Sequence, residues 1–139
     1  VTASGECTPI AGAEVDFWSA DSSGDYSGYS EFGTQGQDWL RGQQLTDQDG
    51  IARVQSIVPG SYPGRAVHVH VKVRSPGRPE LTTQVYLPDD VVATVLARPD
   101  YDGGAQTLNG ADSFYADDTL TEVTGDVDSG YVATIVLVV

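Results

Sequence analysis

The sequence has 139 residues, of which 40 % are hydrophobic, and this size predicts one domain spanning residues 1–139. Its net charge of −13, from 20 acidic and seven basic residues, excludes duplex nucleic acid and anionic membrane surfaces as favoured partners, because both would repel it. No run of 18 apolar residues occurs and the first ten residues do not resemble a signal peptide, so we expect a soluble chain, from which a leader could already have been removed.

The acidic residues are mostly aspartate, with 15 of the 20, whereas lysine occurs once, at Lys72. This composition predicts a halophilic protein that works in concentrated salt, and an ordinary acidic protein is the alternative. The single cysteine, Cys7, excludes an internal disulfide and a cysteine-rich metal cluster. Two interpretations of Cys7 stay open: a buried small side chain, or one half of a bridge to a segment outside this sequence.

Short apolar runs between glycine and proline turns predict an all-β architecture. The stretch GAEVDFWSAD alternates apolar and polar residues with period 2, which predicts a half-buried strand. The turn TDQDG precedes a second predicted strand, IARVQSIV at 51–58. Three more strands are predicted, at AVHVHVKVR (66–74), ELTTQVYL (80–87) and GYVATIVLVV (130–139). The last is so apolar that we expect both of its faces to be covered.

Two long loops and one helix complete the predicted pattern. Residues 19–45 and 98–118 are rich in Gly, Asp, Ser and Gln, and loops of this length in a small domain usually carry its functional site. The stretch DDVVATVLA at 89–97 predicts a short helix with an acidic first turn. The predicted fold class is therefore an all-β antiparallel β-sandwich with long site-bearing loops.

The two histidines of the chain, His68 and His70, lie two positions apart on a predicted strand, opposite a face of valines. On a strand, such positions project to the same side, so both imidazoles could bind one ion, or both could be solvated polar residues. Tyr62 stands six residues upstream, and no zinc-protease, calcium-loop, phosphate-loop or serine-hydrolase motif is present. Other ligands would then be Tyr, Asp or Glu, and ferric iron suits histidine with tyrosinate.

The segments CTPIAGAEVDFWSADSSGDYSGY and LRGQQLTDQDGIARVQSIVPGSYPGRAVHVHVKV resemble the intradiol ring-cleavage dioxygenase family. The ordered elements, a Trp-Asp-Gly-Tyr pattern, then TD.DG.A, YPGR and H.H, are highly specific. The resemblance implies Fe(3+) bound by two tyrosines and two histidines. These match Tyr26, Tyr62, His68 and His70, with Tyr29 as the alternative to Tyr26.

The resemblance also implies roles around the ion. Arg65 matches an arginine that stabilises the reacting substrate, Gln84 matches a pocket glutamine, and Tyr62 or Tyr26 would take a proton from the substrate. The implied reaction cleaves a catechol-type ring with dioxygen between its two hydroxylated carbons, giving a cis,cis-muconate-type diacid. Gly64 stands where other members carry bulkier residues, so we expect an open pocket that admits substituted or larger catechols.

Three matters stay open at this point. The same fold could serve as a non-catalytic module that binds aromatic or carbohydrate ligands, or the histidines could hold a structural zinc ion. The compact YPGRAVHVH form is similar to small, often secreted members of the family, which favours an extracellular location over a cytoplasmic one. A homodimer is not settled, because the helical dimerisation segment of longer members has no counterpart in this sequence.

Overall fold

The computed structural model describes residues 8–102 and 104–139, and Cys7 lies outside them. No helix in the described ranges is long and apolar enough to cross a membrane. The regular elements are, in chain order, β1 (Glu14–Trp18), β2 (Arg41–Leu45), β3 (His68–Arg74), β4 (Leu81–Tyr86), α1 (Asp89–Leu96), β5 (Glu122–Asp126) and β6 (Gly130–Thr134), with 3-10 turns at Ser30–Phe32, Asn109–Ala111 and Asp117–Thr119.

Four strands form one antiparallel sheet in the order β2-β1-β3-β4, and β5 pairs with β6 in a separate antiparallel hairpin. The predicted all-β antiparallel class is confirmed. The predicted helix is confirmed as α1, which begins after Pro88 with two aspartates in its first turn. Its buried face carries Val92 and Val95.

The valine face of β3 forms the core of the larger sheet. Val73 lies opposite Val15 and Val71 opposite Phe17 across β1, and Val71 and Val73 are almost fully buried. Because side chains alternate along a strand, this packing turns the residues between the valines to the other face of the sheet. The predicted separation of valines from histidines along β3 is therefore confirmed, and it fixes the direction in which the histidines point.

The predicted strand at 51–58 does not form. Within the described ranges, the backbone of residues 52 to 57 makes no hydrogen bond, and Ile51, Val54 and Ile57 are exposed. Ala52 packs against the core below the larger sheet, whereas Val58 packs against a second apolar cluster beside α1. The segment crosses between two clusters, so Ala52 and Val58 are packed while the backbone between them meets no partner strand. An apolar pattern makes a strand only where a neighbouring strand completes the ladder.

The prediction for residues 130–139 is wrong in extent and in burial. Only Gly130–Thr134 form a strand, paired with β5. Beyond it, Ile135, Leu137 and Val139 pack against the core, whereas Val136 is 65 % exposed. One face of this run is covered and the other is open, because the larger sheet supplies apolar surface on one side only.

Two strands were missed by the sequence patterns. β2 lies at the end of the predicted loop 19–45, and all five of its residues are exposed, so it has no apolar alternation to reveal it. β5, EVTGD, is also mostly exposed. Both form because a partner strand satisfies their backbone groups, which is a tertiary effect.

Candidate metal centre

His68 lies at the start of β3 and is 2 % exposed. Its Nδ1 lies 2.7 Å from the carbonyl oxygen of Ala66, so the Nδ1–H donates to that carbonyl and the Nε2 lone pair is left free. This is the second hydrogen bond typical of a metal-ligating histidine, since it fixes both the tautomer and the direction of the ring.

His70 lies two residues further along β3, where it is opposite Trp18 of β1 and Gln84 of β4. The Trp18 indole stacks on the imidazole, with ring centroids 4.8 Å apart and an interplanar angle of 2°. The Nε2 atoms of the two histidines lie 3.3 Å apart. Strand register and an aromatic stack therefore aim both imidazoles at one point.

The two tyrosines reach that point from separate loops whose backbones are packed together. Gly60 N–H donates to the carbonyl of Asp21 at 2.8 Å, and a Cβ on Gly60 would clash with the Ser22 carbonyl. A Cβ on Gly24 would meet the carbonyl of Ser61 in the same way. The close approach needs glycine at both positions, and it brings the residues that follow, Tyr26 and Tyr62, into contact.

Four donor atoms converge as a result. The Tyr26 and Tyr62 hydroxyl oxygens are 3.4 Å apart, and they lie 3.4 Å and 3.1 Å from His68 Nε2. Donors that bind one ion at about 2.0–2.2 Å are themselves separated by about 3.0–3.5 Å, so the spacing fits a shared ion. The single lone pair of His68 Nε2 cannot accept from every neighbour at once, which also favours a cation.

Burial sets the protonation states of this cluster. It lowers the pKa of His68, and for His70 burial, with the neighbouring His68 and arginines, lowers the pKa to about 4, so both imidazoles are neutral lone-pair donors at neutral pH. Burial, and then the hydrogen bond and charge of Tyr62, raise the pKa of Tyr26 well above its ordinary value. Tyr26 therefore ionises only if a cation joins it, since a bound ion favours the phenolate.

Carboxylates and cysteine do not offer a competing site within the described ranges, because no group of three or more His, Cys, Asp or Glu could hold a metal ion. The donor set of two imidazoles and two phenols fits a hard, highly charged ion such as ferric iron. Tyr29, the alternative ligand, is 40 % exposed, and its hydroxyl makes no hydrogen bond to another described residue. Its ring meets the edge of Tyr26 at 6.1 Å, so it lies behind the cluster.

Arg65 contacts β4, which lies on the other side of β3 from β1 and its Trp18. Its Nη2 donates to Gln84 Oε1 and lies 3.3 Å from the Tyr86 hydroxyl, which itself donates to Gln84 Oε1 at 2.9 Å. The Arg65 side chain is 20 % exposed. The structure thus brings Tyr26, Tyr62, His68 and His70 into one cluster and places Gln84, the strand partner of His70, against Arg65.

Sequence patterns missed three residues here. Asp112, in the loop after α1, pairs with Arg65 at 3.0 Å, and the ring of Phe114 lies 4.6 Å from the guanidinium carbon. Tyr86 is fully buried, with its ring 5.6 Å from that of His68. Asp112 stands 47 positions from Arg65 in an irregular loop, so spacing gave no signal. Tyr86 stands two residues after Gln84 on β4, which was the one sign of it.

The chain is a β-sandwich with antiparallel sheets that carries a cluster of tyrosine and histidine side chains. Comparisons with known proteins identify the family of this fold. The family model described as dioxygenase matches residues 2–99. The chain belongs to the intradiol ring-cleavage dioxygenase family. The predicted family and the β-sandwich class are both confirmed.

Individual proteins that resemble this chain are also dioxygenases by name. Chlorocatechol 1,2-dioxygenase of Pseudomonas putida is 35 % identical over 95 residues, which are 55 % of this chain and 36 % of that protein. The dioxygenase domain of a carbohydrate-binding fusion from Streptomyces sp. SirexAA-E is 35 % identical with a TM-score of 0.72, covering 97 % of this chain and 72 % of that one. An intradiol ring-cleavage dioxygenase from Tetranychus urticae shares the fold, at 21 % identity and a TM-score of 0.88, over 96 % of this chain and 74 % of that one. The chain spans about a third of the length of the curated relatives it matches.

Proposed function

We propose that residues 1–139 form one catalytic domain that holds a ferric ion through Tyr26, Tyr62, His68 and His70. The domain cleaves a catechol-type ring between its two hydroxylated carbons. One carbon–carbon bond breaks and both atoms of one dioxygen molecule enter the product, a cis,cis-muconate-type diacid. The supporting observation is the convergence of four donor atoms from one strand and two loops, with neighbouring donors 3.1–3.4 Å apart.

A ferric ion bound to this donor set would supply the Lewis acidity and electron-accepting capacity that make a catecholate reactive toward dioxygen. The residues around the ion would accept a proton from the substrate and stabilise its negative charge. Tyr62 is half-buried, whereas Tyr26 is 8 % exposed. We therefore assign the Tyr62 oxygen, as the phenolate that a bound ferric ion would favour, as the acceptor of a catechol proton when substrate enters. Proton transfer to a positioned group of this kind typically contributes about 10²–10⁴-fold.

Arg65 supplies the fixed positive charge beside the ring. Within the described ranges its Nη1 makes no hydrogen bond, whereas Nε and Nη2 are engaged by Asp112, Gln84 and Tyr86, so Nη1 is free to meet negative charge that develops on the substrate. In a partly dry pocket one such donor is worth about 10²–10³ in kcat. Gln84 contributes by holding the guanidinium in place.

The substrate class follows from the family and from the space beside Arg65. The relatives are named catechol and chlorocatechol 1,2-dioxygenases. Gly64, next to Arg65 in the chain, is exposed, and a Cβ added to it would meet no atom within 4 Å, so the space around it is open. This opening supports catechols with ring substituents as substrates in addition to catechol.

Iron content and colour test the metal assignment. The purified protein should contain about one iron per chain and should absorb visible light through tyrosinate-to-iron charge transfer. Iron-free protein reconstituted with ferric salt should recover both. A colourless preparation that iron cannot restore would contradict the proposal, and zinc without that absorption would indicate a structural site.

Dioxygen uptake tests the reaction. The ferric protein is assayed with catechol, chlorocatechols and protocatechuate, and the products are identified as ring-opened diacids. At least one member should be turned over with one dioxygen consumed per ring. A coloured, iron-loaded protein that is inactive on every member would leave a binding module as the surviving interpretation.

A further inference from the structure

Asp112 is the most enclosed charged side chain near the site. Its side chain has 0 % exposure, and its two oxygens accept three hydrogen bonds. Oδ2 accepts from Arg65 Nε at 3.0 Å and from the Ala66 N–H at 2.9 Å, and Oδ1 accepts from the Phe114 N–H at 2.9 Å. A buried carboxylate is tolerated when its acceptors are satisfied in this way, so its position is sharply defined.

One of these bonds leads directly to the donor cluster. The Ala66 N–H donates to Asp112, and on the other side of the Ala66 Cα the Ala66 carbonyl accepts the Nδ1–H of His68 at 2.7 Å. Ala66 is itself buried. The direction of the Ala66 carbonyl decides which nitrogen of His68 carries the proton, and therefore whether Nε2 offers its lone pair to the cluster.

The second bond leads to the substrate side. Arg65 has Asp112 on Nε, Gln84 and Tyr86 on Nη2, and the ring of Phe114 4.6 Å from its guanidinium carbon. Asp112 and Phe114 come from the same loop, and Asp112 also holds the Phe114 backbone. The loop thus contacts the guanidinium on its Nε edge through Asp112 and on its face through Phe114, and it leaves Nη1 without a contact from these residues.

We propose that Asp112 is a positioning residue that aligns both Arg65 and the donor cluster with one carboxylate: it orients Arg65 directly and orients His68 through the backbone of Ala66. The part concerning Arg65 rests on the proposed dioxygenase function, whereas the part concerning His68 does not. The part of the Asp112 effect that runs through Arg65 should disappear when Arg65 is altered, and this separates positioning from a general role in folding.

Kinetics test the link to Arg65. Asp112→Asn keeps the side-chain shape but removes the charge that holds the guanidinium, and Asp118→Asn, an exposed aspartate of the same region, is the matched control. We expect Asp112→Asn to lower kcat by about ten- to hundredfold with KM within about threefold, because small misplacements of a charge-stabilising group cost about that much. Asp118→Asn should stay within about twofold.

A double-variant comparison makes the test specific. In an Arg65→Lys background, Asp112→Asn should change kcat by less than about threefold, because lysine lacks the planar guanidinium group that Asp112 holds. If the two losses multiply in full, Asp112 does not act through Arg65, and that part of the proposal is overturned.

The link to His68 is tested on iron-free protein, so it does not depend on turnover. Nitrogen-15 NMR of labelled histidine should show His68 protonated at Nδ1 in the wild type and in Asp112→Asn, whose remaining oxygen can still accept from Ala66. Asp112→Ala removes the acceptor, and we expect a mixture of tautomers together with an Ala66 amide that exchanges at least about tenfold faster. An unchanged His68 tautomer in a folded Asp112→Ala protein overturns the link.

The outcomes also separate the two proposals. If the wild type neither binds iron nor consumes dioxygen with any catechol, the proposed function fails, and the His68 tautomer still decides whether Asp112 positions that ring. If the wild type is active but the Asp112 variants behave as the Asp118 control does, the function stands and the positioning role is overturned.

Discussion

The two sides of the site are built by different means. On the donor side, uncharged imidazoles and phenols are held by strand register, by the Trp18 stack and by loops packed backbone to backbone through Gly24 and Gly60. On the arginine side, a cation is held by the buried carboxylate of Asp112. In the proposed function, packing defines where the metal binds, and charge pairing defines where negative charge on the substrate is met. Mutation of Tyr26 or of Arg65 should therefore affect one function each, whereas Asp112 acts on both sides.

The largest effect is expected on the donor side, from Tyr26→Phe. Removing this hydroxyl deletes one of four converging donors, so we expect iron affinity and activity to fall by more than about a hundredfold, beyond the loss typical of residues that merely support a ligand. Iron content, visible absorption and dioxygen uptake measure the change. Tyr29→Phe, three residues away, should stay within about twofold; a reversal between the two variants would transfer the assignment to Tyr29.

On the arginine side, Arg65→Gln should separate activity from metal binding. We expect kcat to fall by about 10²–10³ because the cation that meets developing charge is lost, while the iron content and the position of the visible band are retained. Arg53→Gln, an exposed arginine paired with Asp47, is the control and should be near wild type. Loss of iron in Arg65→Gln would show that the two sides are not independent.

The backbone contact that brings the tyrosines together can be broken by Gly60→Ala. The added Cβ would clash with the Ser22 carbonyl, so the loops must separate, at a cost of about 1–3 kcal/mol in the free energy of unfolding. Denaturant unfolding measures the loss, and the charge-transfer band should weaken with it. Gly42→Ala is the matched control, since a Cβ there meets nothing within 4 Å; equal losses in both variants would contradict the packing argument.

The ion pair between Arg65 and Asp112 should make a contribution to the free energy of unfolding that depends on pH. Burial raises the pKa of Asp112, but the N–H groups of Phe114 and Ala66 and the Arg65 guanidinium outweigh it and lower the pKa overall. The folded state then binds fewer protons than the unfolded state, so this contribution is present above pH 4 and is lost as the pH falls below it. Unfolding midpoints at pH 5 and pH 3 should differ less in Asp112→Asn; an identical difference in wild type and variant would refute the pairing.

The smallest effect on the site itself is expected from salt. Ten of the 15 aspartates are exposed, and added salt screens the repulsion between them. We expect the thermal midpoint to rise from 0.1 M to molar potassium chloride while the visible band keeps its position. A midpoint that does not respond to salt would exclude the halophilic interpretation.

The fold was predictable where apolar and polar residues alternated regularly, with a period of two residues. The valine and histidine alternation of β3 identified both the strand and the face that carries the site, and the acidic start of α1 identified the helix. Ile51–Val58 carried a similar apolar pattern without becoming a strand, and the exposed β2 formed without such a pattern. Backbone pairing depends on which partner is within reach, and a local pattern does not contain that information.

The sequence by itself determined the candidate donors, because Tyr62, His68 and His70 stand within nine residues and the ordered motifs added Tyr26. It also supplied Arg65 and Gln84. Only the tertiary structure decided between Tyr26 and Tyr29 as the tyrosine nearest the histidines, and only it brought Asp112 and Phe114 to Arg65. The reason is physical: neighbours along one strand are fixed by its geometry, whereas contacts across 40 or more residues depend on how loops pack.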